Sequence, residues 1–208
     1  MILAIDGTTA SGKGTIGRRL AGYYGLAYLD TGLLYRAVGR AALDQGLALD
    51  DPEACAEVAQ NLVLGQWDEA RLRTAEAGQA ASQVAVHRPV RAALLDAQRN
   101  FARQDGGAVL DGRDIGTVVC PEADVKLWVD ADVHVRAQRR WAELRDKPGA
   151  PSLDEMIRQL KDRDARDANR SDAPARAAED AHLLDTTSLD IDAAVASARR
   201  IIDAARAS

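Results

Sequence analysis

Ile2-Leu3-Ala4-Ile5-Asp6-Gly7-Thr8-Thr9-Ala10-Ser11-Gly12-Lys13-Gly14-Thr15 opens the chain with a short apolar run, a glycine-bearing loop and the start of a helix with Ile16, Leu20 and Tyr24 at helical spacing. A buried strand that feeds such a loop into a helix makes a phosphate-binding loop. Gly7 and Gly12 permit the turn and let backbone approach phosphate closely. The N–H groups of Thr8, Thr9, Ala10 and Ser11 then converge on an anion at a helix N-terminus, where the helix dipole favours negative charge. Lys13 reaches the outer phosphates as a point charge. The general pattern has Ser or Thr directly after the lysine; here Gly14 intervenes before Thr15. The hydroxyl most such loops offer to magnesium is therefore missing at that position, and Thr15 is expected to face a metal through water.

Working outward, apolar runs alternate with helical patterns, which predicts a parallel sheet with crossover helices. Strands are expected at residues 2–6, 26–29, 107–111, 124–130 and 182–185. Helices are expected at 13–24, 32–45, 52–61, 76–85, 89–104, 132–145, 152–169 and 190–206. Pro89 suits a first helical position, and Ser152-Leu153-Asp154-Glu155 reads as a capping box after Pro148-Gly149-Ala150-Pro151. Residues 62–75 are weakly patterned, and 146–175 are dense in charge.

The 208 residues predict one domain. A net charge of −5 argues against a general nucleic-acid or membrane binder and suits a small anionic substrate in a local positive pocket. Cys55 and Cys120 lack metal-ligand spacing and read as reduced thiols. No apolar run approaches the ~20 residues of a membrane-spanning helix. The first strand begins at Ile2, so no leader peptide and a cytoplasmic protein are expected. His87, His134 and His182 are paired with no nucleophile, which gives covalent catalysis little support.

Further patches surround the loop. Asp30-Thr31-Gly32-Leu33-Leu34-Tyr35-Arg36 follows the second strand; Asp30 or Thr31 can cap the next helix, and Arg36 lies one turn in, within reach of a second phosphate. Leu110-Asp111-Gly112-Arg113-Asp114 ends the third strand, where open parallel sheets bind ligands. Asp111 is placed to order waters around magnesium, and Arg113 to clamp phosphate in a fork. Arg163, Asp167 and Arg170 share a helix face; with Arg166 beside a Pro/Gly loop they suggest a lid that brings cations over transferring phosphates. Ser82 and Arg91, taken alone, are ordinary helix-surface residues. Arg136, Arg139 and Arg140 form a basic stretch that can touch ATP, although a solvated face is the simpler reading for at least two of them.

Taken in order, these patches resemble the bacterial cytidylate kinases, ATP-dependent CMP/dCMP kinases. The resemblance rests on Ala4-Ile5-Asp6-Gly7, Gly12-Lys13-Gly14-Thr15, Asp30-Thr31-Gly32 with Tyr35-Arg36, Ala81-Ser82-Gln83-Val84, Asp111 through Val119, and Arg163-Asp164-Ala165-Arg166-Asp167 with Asn169-Arg170. It implies an α/β P-loop NTPase fold: five parallel strands flanked by helices, the phosphate-loop strand central, with a short monophosphate-binding insert and a lid. One domain would then consist of a core (1–50, 86–145 and 176–208), an insert at about 51–85 and a lid at about 146–175. The resemblance further implies that Arg36, Arg113 and Arg170 hold the CMP phosphate and that Arg163 and Asp167 hold the ribose hydroxyls. Ser82, Arg91 and Asp114 would read cytosine, with Thr31 and Tyr35 lining the pocket. Lys13, Arg113, Arg163 and Arg170 would carry catalysis, Gly7 through Thr15 with Arg139 would bind ATP, and Thr15 and Asp111 would serve Mg2+ through water. A monomer is implied.

Two departures stand out. Thr31 occupies a position where the family commonly has Ser. The stretch between Leu62 and Ser82 is too short for the small antiparallel sheet of longer inserts, only Ala70-Arg71-Leu72-Arg73-Thr74 being similar to its end. A more open acceptor site is expected, with a raised KM for CMP and a segment more mobile than the central sheet. Kinases of UMP, AMP or a small alcohol, and a nucleotide-dependent switch, are the alternatives that the motifs leave.

Overall fold

A computed structural model describes residues 1–63, 65, 67–146 and 149–207. The 62–75 stretch and the Pro148–Pro151 loop therefore lie partly, at Leu64, Gln66 and Pro148, outside the described residues.

Five parallel strands form the sheet: β1 (Ile2–Gly7), β2 (Ala27–Asp30), β3 (Ala108–Asp111), β4 (Val125–Asp130) and β5 (His182–Asp185). Their order is β2-β3-β1-β4-β5, which puts the strand feeding the glycine loop in the middle. Alternation along β1 sorts the core into two faces. Leu3 and Ile5 point to one side, packing with Ile16 and Leu20 of α1 (Lys13–Tyr24) and with Ala194, Ala198 and Ile202 of α9 (Ile191–Ala207). Ala4 points to the other, toward Leu34, Val38 and Ala42 of α2 (Thr31–Asp44), Cys55 and Val58 of α3 (Pro52–Gln60), and Leu94 of α6 (Arg88–Ala102). In α2 and α9 these residues recur every four positions, so each helix buries one stripe.

The elements follow the expected boundaries to within two residues at each end. Three local expectations change. Pro89 sits second in α6, after Arg88. Ser152 caps α8 (Leu153–Ala168) by accepting from the Glu155 N–H at 3.2 Å, but the Glu155 carboxylate turns to Gln159 at 2.9 Å and to Arg158, so only half the capping box forms. Neither Asp30 nor Thr31 caps α2; the Asp30 side chain makes no cap bond, and the Thr31 hydroxyl donates instead to the Asp111 carbonyl at 2.7 Å.

Two elements escaped the pattern. Glu69–Leu72 makes a single helical turn, α4, with Asp68 accepting from Ala70 N–H. Ile115–Val119 makes a π-helical turn after Asp114. Between α4 and α6, α5 (Ala75–Val84) buries Ala77, Ala80, Ala81 and Val84. It crosses α2 so closely that a Cβ on Gly39 would lie 2.8 Å from the Ala80 Cβ. α7 (Val133–Leu144) and α8 pair through Ala137, Leu144, Met156 and Leu160, and Ala10 of the glycine loop joins that cluster. Cys55 and Cys120 are both free and buried. Among the described residues no helix is long and apolar enough to cross a membrane.

Candidate active site

All five strands end at one edge, and there lies a cleft of about 1050 Å³, lined by the glycine loop, the start of α2, α5, the Asp111–Asp114 turn, α7, α8 and the β5–α9 connection. This is the edge where open parallel sheets bind ligands.

The loop's shape is fixed by backbone contacts. Gly7 has φ 150°, and a Cβ there would meet the Val129 carbonyl oxygen at 1.9 Å, so no other residue fits. Gly12 has open space around it but φ 91°; it serves conformation, opening α1 from a left-handed N-cap. The Gly12 carbonyl accepts from the N–H of Thr15 and of Ile16, each at 3.1 Å. Ser11 is buried and donates to the Thr8 carbonyl at 3.0 Å, while the Thr8 hydroxyl donates to Asp130 at 2.6 Å. Thr15 is exposed at the cleft.

Lys13 is buried with its ammonium 3.5 Å from the Thr8 carbonyl and 3.6 Å from Asp111 Oδ1. Burial, and after it the Arg113 guanidinium, lowers its pKa from 10.5 to about 8. Burial likewise raises the Asp111 carboxyl above its usual range. The second Asp111 oxygen accepts from the Tyr28 hydroxyl at 3.1 Å. A Cβ on Gly14 would come within 3.1 Å of that oxygen, so Asp111 crowds the position where other loops carry a hydroxyl. Asp30, level with Asp111 in the β2–β3 register, also lines the cleft.

On the α4–α5 side of the cleft Arg36 donates through Nη1 to the Leu72 and Thr74 carbonyls at 2.8 and 3.0 Å, and its guanidinium lies against Gly78. It thus anchors the α4–α5 junction as well as facing the cleft. Arg113 is held at all three nitrogens: Nε to Asp167 at 3.1 Å, Nη1 to the Gly112 carbonyl at 3.0 Å and Nη2 to the Thr9 hydroxyl at 2.9 Å. Arg170 donates to the Asp167 carbonyl at 3.1 Å. Ser82 and Arg91, which read as surface residues in isolation, are both buried, because α5 and α6 turn these faces inward. Arg91 pairs with buried Asp114, lies 3.3 Å from Asp172, and donates to the Tyr35 hydroxyl at 3.3 Å. Thr31 and Tyr35 line the same cleft.

A solvated face, expected for at least two of the three arginines of α7, accounts for neither Arg136 nor Arg139. Arg136 is buried, donating to the Ala131 carbonyl, the Thr9 carbonyl and Asp164. Arg139 lines the cleft with its guanidinium bound to the Thr186 carbonyl at 2.7 Å and the Leu189 carbonyl at 3.1 Å. Arg140 pairs with Glu143 at 2.8 Å. The reason is that α8 and the β5–α9 connection cover α7, which no periodicity in α7 itself reveals.

Two features point to an anionic ligand. Among the described residues, the buried side-chain atoms without a hydrogen bond are Ser82 Oγ, Arg91 Nε, Arg163 Nε, Arg170 Nη2 and Arg199 Nε, of which Arg91 Nε faces Asp172 at 3.3 Å and Arg170 Nη2 faces Asp167 at 4.0 Å. The groups left with neither a hydrogen bond nor an ion pair at the cleft, Ser82 Oγ and Arg163 Nε, each cost roughly 1–3 kcal/mol until a partner arrives. Burial and then neighbouring cations also push the pKa of Arg163 down to about 9 and that of Arg36 down to about 10. Crowded cations of this kind are relieved by a bound anion. Tyr28, Asp30 and Thr186 were missed from the sequence. Asp30 had the plainer reading of a helix cap, and Thr186, whose hydroxyl donates to the Ser11 carbonyl at 3.0 Å, carries only the signal of ending a parallel strand.

The family model described as "Cytidylate kinase" matches residues 3–204. A protein of Brucella suis biovar 1 (strain 1330) named cytidylate kinase is 52% identical over 206 residues, covering 99% of this chain and 94% of that one. One of the same name from Xanthobacter autotrophicus (strain ATCC BAA-1158 / Py2) is 55% identical over 207 residues, covering 100% and 99%. The crystal structure of an uncharacterized protein from Eubacterium ventriosum ATCC 27560 superposes with a TM-score of 0.57 at 14% identity, covering 98% of each chain, a likeness of fold alone.

Proposed function

The chain belongs to the cytidylate kinase family, ATP-dependent enzymes that phosphorylate CMP to CDP, and on that premise we propose the residues that do the work in it. The γ-phosphoryl group of ATP passes directly, in line, to an oxygen of the CMP phosphate. That oxygen is already anionic, so no general base and no covalent intermediate are required, and catalysis consists of positioning and charge stabilisation. Lys13 and the loop amides from Ala10 to Gly14, which are not taken up by the bonds that fix the loop, hold the donor phosphates. Arg139, which lines the cleft together with Leu189 and Ile191, offers a surface for adenine. Arg36, Arg113 and Arg170 hold the acceptor phosphate, Arg163 adds charge at the transferring group, and Arg163 with Asp167 takes the ribose hydroxyls. dCMP, lacking one of these, is the second acceptor.

The observation that carries the base assignment is the buried Arg91–Asp114 pair, with Asp114 and the Ser82 hydroxyl, which has no hydrogen bond, lining the same cleft. Cytosine presents an amino donor at N4 and acceptors at N3 and O2. Asp114 accepts from N4, as carboxylates do when reading cytosine elsewhere, and Arg91 and Ser82 donate to the acceptors. Uracil has no amino group and would leave Asp114 facing a carbonyl.

Among the described residues no three His, Cys, Asp or Glu side chains cluster as a metal site. The donors present, Asp111 and Thr15 with Asp30 nearby, fit a magnesium ion kept mostly on water and nucleotide phosphate. Such an ion would offset charge on the donor phosphates, and Asp111 would orient its waters. The α3–α5 region serves as the acceptor-binding insert and α8 as the lid. A cytoplasmic enzyme fits the free thiols of Cys55 and Cys120, and a monomer is what the family likeness implies. A coupled assay of ADP release over a panel of monophosphates tests the base assignment: CMP and dCMP should be used far better than UMP or AMP, and preference for another base would overturn it.

A further inference from the structure

One loop residue is gripped at every polar group it has. The Thr9 N–H donates to Asp164 Oδ1 at 3.2 Å. Its carbonyl accepts from Arg136 Nη1 at 3.0 Å, and its hydroxyl accepts from Arg113 Nη2 at 2.9 Å. The same Arg136 Nη1 donates to Asp164 Oδ2 at 2.6 Å, and Arg113 Nε donates to Asp167 Oδ2 at 3.1 Å. Asp164 and Asp167 are three residues apart on α8 and therefore share a face. Both close on Thr9, the first directly and the second through Arg113. The next residue, Ala10, holds φ 62° and packs into the α7–α8 cluster, so the loop's least relaxed residue is also held by the lid.

Resting on the kinase reading above, we propose that Asp164 is a positioning residue that docks the lid helix on the phosphate loop through Thr9, so that transfer goes to CMP and not to water. The chemistry of Asp164 is unusual for the place. A carboxylate on an amide beside gathered phosphates would repel them were Arg136 not bonded to it. The pair is therefore near neutral where it touches the loop, and it makes the loop amide report whether α8 is down. With α8 down, Arg163, Asp167 and Arg170 stand over the acceptor and water is kept out. With Asp164 unable to hold, water can take the γ-phosphoryl group, releasing ADP, inorganic phosphate and a proton.

The charge arrangement separates this role from a merely structural ion pair. In Asp164→Asn, turnover to CDP should fall by up to about 10²-fold, the scale of a small misplacement of reacting groups. KM for ATP should stay equal or drop, because Arg136 is left as an unbalanced cation near phosphate. Inorganic phosphate released per CDP should rise, and Asp164→Glu should restore part of the coupling. In the unmodified protein the Thr9 amide should exchange with solvent much more slowly than in Asp164→Asn. If Asp164→Asn proves unfolded, slow Thr9 exchange in the unmodified chain still supports docking, and exchange at the rate of an unprotected amide refutes it. A folded Asp164→Asn with full turnover and an unchanged phosphate-to-CDP ratio would overturn the proposal. Failure of the unmodified protein to form CDP would instead refute the kinase reading.

Discussion

Lys13 is the residue where burial and function oppose each other most openly. Its ammonium has been taken out of water beside Arg113, with Asp111 3.6 Å away as partial compensation. A pKa near 8 means that the free enzyme loses this charge as pH rises through that value. Because kcat/KM reports the free enzyme, kcat/KM for ATP should fall on the alkaline side of about pH 8. Lys13→Ala, folded, should lose turnover by at least about 10²-fold, the cost of one preorganised charge. A flat kcat/KM profile up to about pH 10, or full turnover in the alanine variant, would take Lys13 out of the donor site. At this scale the sequence was legible where a motif fixes the backbone. Gly7 admits no Cβ and Gly12 needs a left-handed turn, and both follow from loop grammar. It was not legible at Tyr28, which touches Asp111 across a strand pair separated by 83 positions in the chain.

The helices were readable from their stripes, yet their closeness was not. Nothing in the α2 sequence says that Gly39 faces Ala80 at a distance that bars a methyl group. Gly39→Ala would gain roughly 1 kcal/mol of helix propensity but force about 1–3 kcal/mol of overpacking. The backbone carbon of Ala80, 3.0 Å from the added atom, cannot rotate away, so the clash wins. Since α5 carries Ser82 and abuts Arg36, the variant should be less stable to urea and show a raised KM for CMP with KM for ATP unchanged. Equal stability and an unaltered CMP KM would contradict this view of the insert. The π turn after Asp114 was equally hidden, because its anchor is remote: Asp6 at the end of β1 accepts from Ile115 N–H and Gly116 N–H, both at 2.8 Å. Burial raises the Asp6 carboxyl from 3.8 to about 7, against the pull of those two amides. Between these values the unfolded chain ionises while the folded one keeps its proton, so stability falls as pH rises, and the penalty is constant above pH 7. Asp6→Asn should therefore gain on the unmodified protein across that window in denaturation curves. A difference independent of pH would mean that Asp6 is ionised throughout.

Over the whole molecule, strand-helix alternation was enough to reveal a parallel sheet with the glycine-loop strand at its centre. What it could not reveal is how α7 and α8 fold over the loop and bury Arg136 against residues of three separate segments, Ala131, Thr9 and Asp164. That enclosure is what turns scattered arginines into one cationic site, with Arg163 Nε buried and left without a hydrogen bond. Selection of cytidine monophosphate through Asp114 is the step proposed for this site. It is tested most directly by steady-state kcat/KM for CMP and UMP, measured side by side for the unmodified protein and for Asp114→Ala. The account predicts a large preference for CMP that shrinks by about 10-fold or more in Asp114→Ala, with KM for ATP little changed, since a buried acceptor left without its donor is what rejects the wrong base. An unaltered CMP/UMP ratio in a folded Asp114→Ala would contradict it.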